Sequence, residues 1–439
     1  MRLKIGDPAI IVRGGKCEDV PWGPYQFPKL FQGEDGGYAC VHVEDDSPDC
    51  YGMPEKWFIS RDGGAHWTET DDSARFRCGT KLKNGEYLRA EPRAVLDVTD
   101  RNVPPFRAAT YFLPSDEDPL RIRGGKNTPF PEGMGRFVDV FGQIYRIYEI
   151  DSLPQGLVQK SWRFTRFDPA AGKSGEEDAR VERPHMSVFT YSGENGAVRL
   201  NVPNPWGNIR VAPDGTLWLP TYELFGASPE NGAHYLYSAA YFYKSEDNGR
   251  SWKYVSHIPY IPDPSTDPAA YYRDGYTEPD IEFMPDGSIV ALLRTAGVFH
   301  GAPEWGESYI TRSADGGKTW EKPVLFDKRG VIPQIVRLQC GVTLAVYGRP
   351  GIYVRAARGN AEHWEDPVEI MTEKDRSFLM NEPPARPDFH QWAGSCCNMS
   401  VLPIGENRLL VAYSDFYVPD GKGIKRKTCL TRVVEVEDV

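Results

Sequence analysis

"SRDGGAHW" (60–67), "SEDNGRSW" (245–252) and "SADGGKTW" (313–320) share one pattern, S-x-D-x-G-x-x-W. Recurrence of four fixed positions at three places marks a repeat architecture. The octapeptide has the chemistry of a tight turn between strands. Its Asp accepts hydrogen bonds from backbone N–H groups of the turn, its Gly supplies a positive φ, and its Trp anchors the hairpin in a core. A fourth, eroded copy is "ARGNAEHW" (357–364), which keeps Trp364 and the spacing. Asp62, Asp247 and Asp315 are therefore read as turn staples.

A second repeat runs alongside the first. An apolar strand, a Gly turn and another apolar strand recur at 30–43, 82–90, 211–222, 283–294, 337–348 and 402–413. Six copies predict six repeated units, and the resemblance of the octapeptide to the Asp-box of the sialidase-like β-propellers implies an all-β, six-bladed β-propeller of four-stranded antiparallel blades, six being favoured over seven. Composition agrees, because 43 glycines, 37 prolines and 12% aromatics in 439 residues suit many short strands joined by turns. "AIIV" (9–12) and "CLTRVVEV" (429–436) both read as strands, so the N-terminal strand is expected to complete the sixth blade and make 1–439 a single domain. The widest gap lies between the second and third copies. The second blade is thus expected to carry a long insertion around 103–135, and the Pro-rich stretch 103–133 and the polar run 168–184 both read as loops.

Composition also removes function classes. A net charge of −11 with dispersed basic residues argues against a nucleic-acid partner. The eight cysteines form no C-x-x-C pair and no H-E-x-x-H is present, so neither a metal site nor a disulfide framework is expected, and no motif calls for a cofactor. "MRLKIGDPAIIVRGG" lacks the apolar core of a signal peptide and no run of 18 apolar residues follows. The expectation is a cytoplasmic protein without a membrane partner; self-association stays open.

In a propeller the innermost strands begin and end near the axis, so side chains at those ends converge on one pocket. This nominates Gln26, Asn208, Glu278, Gln334 and Ser395 before the inner strands. After the strand pairs it nominates His42, Glu44, Asp45, Asp46, Tyr222, Glu223, Arg294, Tyr347, Arg349, Tyr413 and Asp415. Carboxylates, arginines and tyrosines in one ring suit cleavage of a sugar, where one group protonates the leaving oxygen and another stabilises or attacks the anomeric centre.

The octapeptide resembles the Asp-box of the sialidase-like β-propellers, in which the box joins the third and fourth strands of a blade on the side away from the active site. "TEPDIEFMPDGSIVALLR" (277–294) is similar to the sialidase stretch in which a Glu precedes the inner strand and an Arg follows its partner. The resemblance implies a catalytic Glu278 and a substrate-binding Arg294. Sialidases use a tyrosine activated by a glutamate and three arginines that clamp the substrate carboxylate. Arg349 in "VYGRPG" reads either as a second clamping arginine or as a tight turn with a solvated guanidinium. The first arginine of that clamp, two residues before a proline, is Gln26 in "YQFP", which can hydrogen-bond but supplies no charge. An ordinary sialidase is therefore not expected, although two arginines still favour an anionic sugar.

The general acid is sought in "HVEDDSPD" (42–49), as Asp45 or Asp46 with Asp49 beside them, because crowded carboxylates raise at least one pKa. Tyr413 and Tyr347 are candidates for the nucleophile or a phenolic acid. Gln26, His42, Glu223, Tyr347 and Trp392 complete the substrate-binding set, the indole being suited to stacking on a sugar ring. The leading expectation is an exo-acting glycoside hydrolase on an acidic or decorated glycan. The alternatives are a non-catalytic propeller that binds a glycan or protein, and a uronoside lyase.

Overall fold

The structure is a computed structural model. It describes residues 1–16, 26–34, 37–43, 55–71, 75–91, 96–97, 136–138, 144–149, 161–184, 186–192, 198–201, 205, 207–227, 235–263, 265–267, 270, 273–297, 306–371 and 397–437. Among these the chain is built almost wholly of antiparallel strands. They form successive four-stranded meanders. The first comprises Gln26–Gly33, Tyr38–Val43, Glu55–Ser60 and Thr68–Thr70, and the second Cys78–Lys81, Tyr87–Glu91, Ser161–Asp168 and Lys173–Glu182. The third comprises Arg210–Val211, Leu217–Ala227, Tyr235–Ser245 and Ser251–Ile258, and the fourth Arg273–Phe283, Ile289–Gly297, Glu307–Ser313 and Val324–Asp327. The fifth is Val331–Arg337, Thr343–Gly348, Ile352–Ala357 and Val368–Met371. The sixth takes Met399–Pro403, Arg408–Pro419 and Lys425–Glu437, and is finished by Arg2–Ile5 and Ala9–Lys16 from the other end of the chain.

Each meander is bonded to the next through its inner strand, and the sequence of bonds returns to its start. Gln32 pairs with Gly79; Thr80 Oγ1 donates to the Ile209 carbonyl (3.3 Å); Arg210 Nε donates to Asp280 Oδ1 (2.9 Å). Asp280 Oδ2 then accepts from Ile335 N (2.9 Å), Gln334 Oε1 from Val401 N (3.0 Å), and Ser400 Oγ from Leu30 N (3.0 Å). For the bonds between a side chain and a backbone group the physical reason is the same. An inner strand is a sheet edge, and its outward N–H and C=O groups need partners that the neighbouring meander's side chains provide.

Apolar side chains fill the junctions. "IVALL" (289–293) shows how: Ile289, Ala291 and Leu293 join the core shared with the third meander, whereas Val290 and Leu292 join that shared with the fifth. A strand covered on both faces is apolar at every position, and full burial of each large side chain contributes roughly 1.5–3 kcal/mol.

All three octapeptides, and the eroded fourth, lie between the third and fourth strands of their meanders. In an antiparallel meander that end is shared with the turns joining first and second strands. The opposite rim carries the beginnings of first strands and the ends of second strands, among them Glu278 and Arg294.

Two differences from the sequence reading concern the second meander. The polar run 168–184 is not a loop: Lys173–Glu182 is the meander's outer strand, paired in register with Ser161–Asp168. It hides as a strand because most of its side chains are exposed, with Glu176 and Asp178 pairing Arg163 and Glu177 pairing Arg166 instead of filling a core. Beyond the ring, Leu96–Asp97, Arg136–Val138, Ile144–Glu149, Ser187–Ser192 and Val198–Asn201 make a separate five-stranded antiparallel sheet. The insertion therefore enters at two places, one on each side of the second meander's outer hairpin. The stretch 103–133 lies outside the described residues.

Candidate functional site

At the rim, the inner strands enter through a repeated irregularity. Pairing shifts between Gln26 and Lys29, Thr277 and Asp280, and Val331 and Gln334, and Phe27 (φ 52°), Glu278 (φ 48°) and Ile332 (φ 39°) occupy the left-handed region. Each is followed by proline, which a bulge tolerates because the ladder hydrogen bond is already lost there. Non-glycine residues in this region cost of order 1–3 kcal/mol and persist where surrounding bonds hold them.

Glu278 shows those bonds. Its Oε1 accepts from Arg294 Nη1 (2.7 Å) and its Oε2 from Ile332 N (2.7 Å), the bulge residue of the fifth meander. Thr277 and Arg294 are cross-strand partners, so the hairpin itself delivers Arg294 beside Glu278. The side chains of Arg294 and Glu278 are 12% and 11% exposed, and Arg294 Nε is buried with no hydrogen-bond partner among the described residues. Farther along the strand Asp280 accepts from Ile335 N, and Glu282 from Arg337 N (2.9 Å). "EPDIE" (278–282) thus places three carboxylates along one neighbouring strand. Asp280 also pairs with Arg210 and belongs to the ring's interior; the Glu278–Arg294 pair is the rung at the rim.

The fifth meander brings further groups to the same junction. Tyr347 packs in the core shared with Val290 and Leu292, and its hydroxyl donates to Asp327 Oδ2 (2.9 Å). Burial, then the Asp327 charge, push the Tyr347 hydroxyl far above the ordinary tyrosine range, so it keeps its proton. Half-burial opposes the Asp327 charge, but Arg329 grips the carboxylate at 2.7 and 2.9 Å and holds it below its usual range. Arg349 (φ 63°) stands in a tight turn closed by its N–H donating to the Gly351 carbonyl (2.9 Å). The tight turn is present, but Arg349 is 4% exposed and its guanidinium is buried instead of solvated.

The other nominated residues are dispersed. Tyr413 lies in the core between the fifth and sixth meanders, with Val346, Ile352 and Met399, a different junction from that of Glu278. Glu223 is buried between the second and third meanders near Arg183 and Tyr243, and its two carboxylate oxygens accept no hydrogen bond from a described residue. Burial lifts its carboxyl to about 8, against the pull of the Arg183 charge and the Tyr243 hydroxyl. Gln334 is a strut of the ring, donating to the Met399 carbonyl (2.5 Å) besides accepting from Val401. Gln26 and His42 lie on described strands, but their side chains fall outside the described set, as do Asp45, Asp46, Asp49 and Trp392 altogether. By pairing register Gln26, opposite Val43, is the counterpart of Thr277 and Val331, one position before Glu278 and Ile332.

Asp327 and Arg329 were not nominated from sequence. A search confined to the ends of the two inner strands passes over them, since Asp327 ends an outer strand. Their only signal was "FDKRG" (326–330), an acid and a base two apart just before an inner strand. Among the described residues no group of three or more His, Cys, Asp or Glu side chains could hold a metal ion, and no helix is long and apolar enough to cross a membrane.

No protein-family model and no curated protein matches the sequence. Solved structures do match in the course of the chain. A protein of unknown function from Dyadobacter fermentans has 14% identity over 99% of both chains, with a TM-score of 0.48. An alpha-L-arabinanase of Penicillium chrysogenum, complexed with arabinobiose, has 14% identity over 98% of both chains (TM-score 0.45). A Streptococcus pneumoniae sialidase has 13% identity over 98% of this chain and 70% of that one (TM-score 0.45). The ring of antiparallel meanders is itself that of a β-propeller. The propeller's chemistry has to be read from its own rim.

Proposed function

We propose that the protein is an exo-acting glycoside hydrolase on a glycan that ends in an anionic sugar. The observation that carries this reading is the Glu278–Arg294 pair at the rim, in which a buried guanidinium retains an Nε–H with no described partner. An unsatisfied buried donor costs about 1–3 kcal/mol, a cost that an anionic or hydroxyl-bearing ligand would relieve. Arg294 and the buried Arg349 would take the sugar's charged group, and Glu278 would face the anomeric centre as stabiliser or attacking group. The proton for the leaving oxygen is assigned to the Asp45–Asp46 pair. Tyr347 and Tyr413 are left out of the chemistry, since one hydroxyl is committed to Asp327 and the other residue sits in an apolar core. A clamp with Gln26 in place of one arginine supports an acidic sugar other than the usual sialoside.

One observation favours a second reading, a propeller that binds a glycan without cleaving it: both Glu278 oxygens are already engaged. A turnover screen separates the two. Wild type and Glu278→Gln would be offered sialosides, uronosides and neutral glycosides, with reducing ends and near-ultraviolet absorbance both followed. Release of a single acidic sugar, lost in Glu278→Gln, is expected. Binding without release would favour the second reading, and a new ultraviolet chromophore would point to elimination instead of hydrolysis.

A further inference from the structure

The turn on which Arg349 stands, 348–352, is flanked by a cluster of four side chains, Tyr347, Tyr353, Asp327 and Arg329. Tyr347 and Tyr353 are the cross-strand pair flanking the turn at 348–352. One charged pair from the fourth meander's last strand and the segment after it engages both of them. Asp327 accepts a hydrogen bond from the Tyr347 hydroxyl, and Arg329, gripped by Asp327 through Nε and Nη2, lies with its guanidinium 3.6 Å from the centre of the Tyr353 ring. Arg329 is itself anchored through its backbone, its carbonyl accepting from the buried Ser308 hydroxyl (2.7 Å). Under the Tyr353 ring lies Gly351 (φ 72°), where a side chain would collide with that ring and with the Met371 carbonyl. The turn is thus pressed from outside by an aromatic ring that a cation holds down. Arg349 adopts a left-handed φ of 63°, a conformation that an arginine keeps only where its surroundings impose it.

We propose that Asp327 is the positioning residue of the candidate site: through Tyr347 and Arg329 it fixes both members of the pair that flanks the Arg349 turn, and so sets where Arg349 meets the substrate's charged group. Asp327 touches no substrate. Its action is preorganisation, because a guanidinium already held in place loses less freedom when it binds a carboxylate. The proposal rests on the reading of Arg349 as a substrate-binding group, and its test keeps the two separable.

Asp327→Asn keeps an acceptor for Tyr347 but loses the charge that grips Arg329. On the acidic glycoside that the wild type cleaves, its KM is expected to rise about tenfold or more, with kcat within about threefold. The Ki of a neutral glycoside with the same leaving group, used as a competing ligand, is expected to stay where it was. Arg349→Lys should give the same pattern, and the double variant should be little worse than either single one, since both remove the same element. Equal KM in wild type and Asp327→Asn, or effects that add in the double variant, would overturn the positioning role. A second readout needs no activity: amide hydrogen exchange in the segment 348–353 should quicken about tenfold in Asp327→Asn, while 425–437 stays unchanged. Unchanged exchange in 348–353 overturns the proposal even if no glycoside is ever cleaved. If the wild type cleaves nothing but the exchange change appears, the functional reading fails and the positioning survives. Should Asp327→Asn not fold, Arg329→Lys, which keeps the charge but loses the planar contact with Tyr353, carries the same two measurements.

Discussion

Arg294 has more donors than Glu278 can accept, and the surplus is the part of the residue that a ligand can use. Replacement by lysine keeps a positive charge next to Glu278 but removes the buried Nε–H and the planar fork. Without ligand the change removes an unsatisfied donor as well as a good bond, so the midpoint of thermal unfolding should move little. Affinity for an acidic glycoside should fall about 10-fold to 100-fold, the range of a hydrogen bond to a charged group. A large loss of stability with unchanged KM would mean that Arg294 serves only the ring. The nearness of Arg294 to Glu278 was legible in the sequence, because 278 and 294 stand equally far from the turn of an unmistakable hairpin. The engagement of Glu278 with Ile332 N was not, since it joins two meanders and depends on a bulge that no pattern of residue types announces.

The octapeptide turns are the elements in which sequence and structure agree most closely. In each, the Ser hydroxyl donates to the Asp and accepts the Gly N–H, as in Ser313 to Asp315 (2.8 Å) and Gly317 N to Ser313 (2.9 Å). Hydrogen bonds from the turn pull the Asp carboxyls low, to about 2 for Asp62, where the His66 backbone N–H and then its ring are the leading causes. Trp320 Nε1 reaches across to Ser256 of the third meander (3.0 Å), so each turn also serves a junction. Ser313→Ala should cost about 1–2 kcal/mol, the loss of a buried hydroxyl that satisfies two partners. Gly317→Ala should cost more, because Gly317 has a φ of 74° and its added methyl would strike the Trp218 ring. Chemical denaturation of the two variants checks the order, and the reverse order would sink this account of the turn. The outer strand 173–182 shows the opposite case. Its charges are satisfied by Arg163 and Arg166 across the pair, an arrangement of partners that composition reads as a loop.

At the scale of the whole molecule the junctions between meanders decide stability, and the recurrence of strand, turn and strand that builds them was legible in the sequence. What the repeats could not give is the polarity of each junction, as Glu223 illustrates. It follows "LWLPTY" (217–222) on a strand whose apolar residues fill two junctions, and it places a carboxyl where the second and third meanders meet. There it lies near Tyr243, which packs edge-on against Trp162, and near Arg183, whose guanidinium lies over the same indole. Burial raises this carboxyl from its ordinary 4.5 to about 8, the Arg183 charge and the Tyr243 hydroxyl offsetting only part of the effect. Because the native pKa lies above the unfolded one, the folded protein holds this proton more tightly than the unfolded chain. The contribution to stability is therefore complete below the unfolded pKa and is lost as pH rises through about 8. At full ionisation the loss is on the order of 5 kcal/mol. Glu223→Gln copies the neutral acid and cannot ionise, so the variant should match the wild type near pH 5 and exceed it by several degrees in Tm at pH 9. Comparing the two at each pH cancels the titration of every other group. Parallel pH profiles would show that Glu223 is hydrated in solution and that the junction between the second and third meanders is open to water.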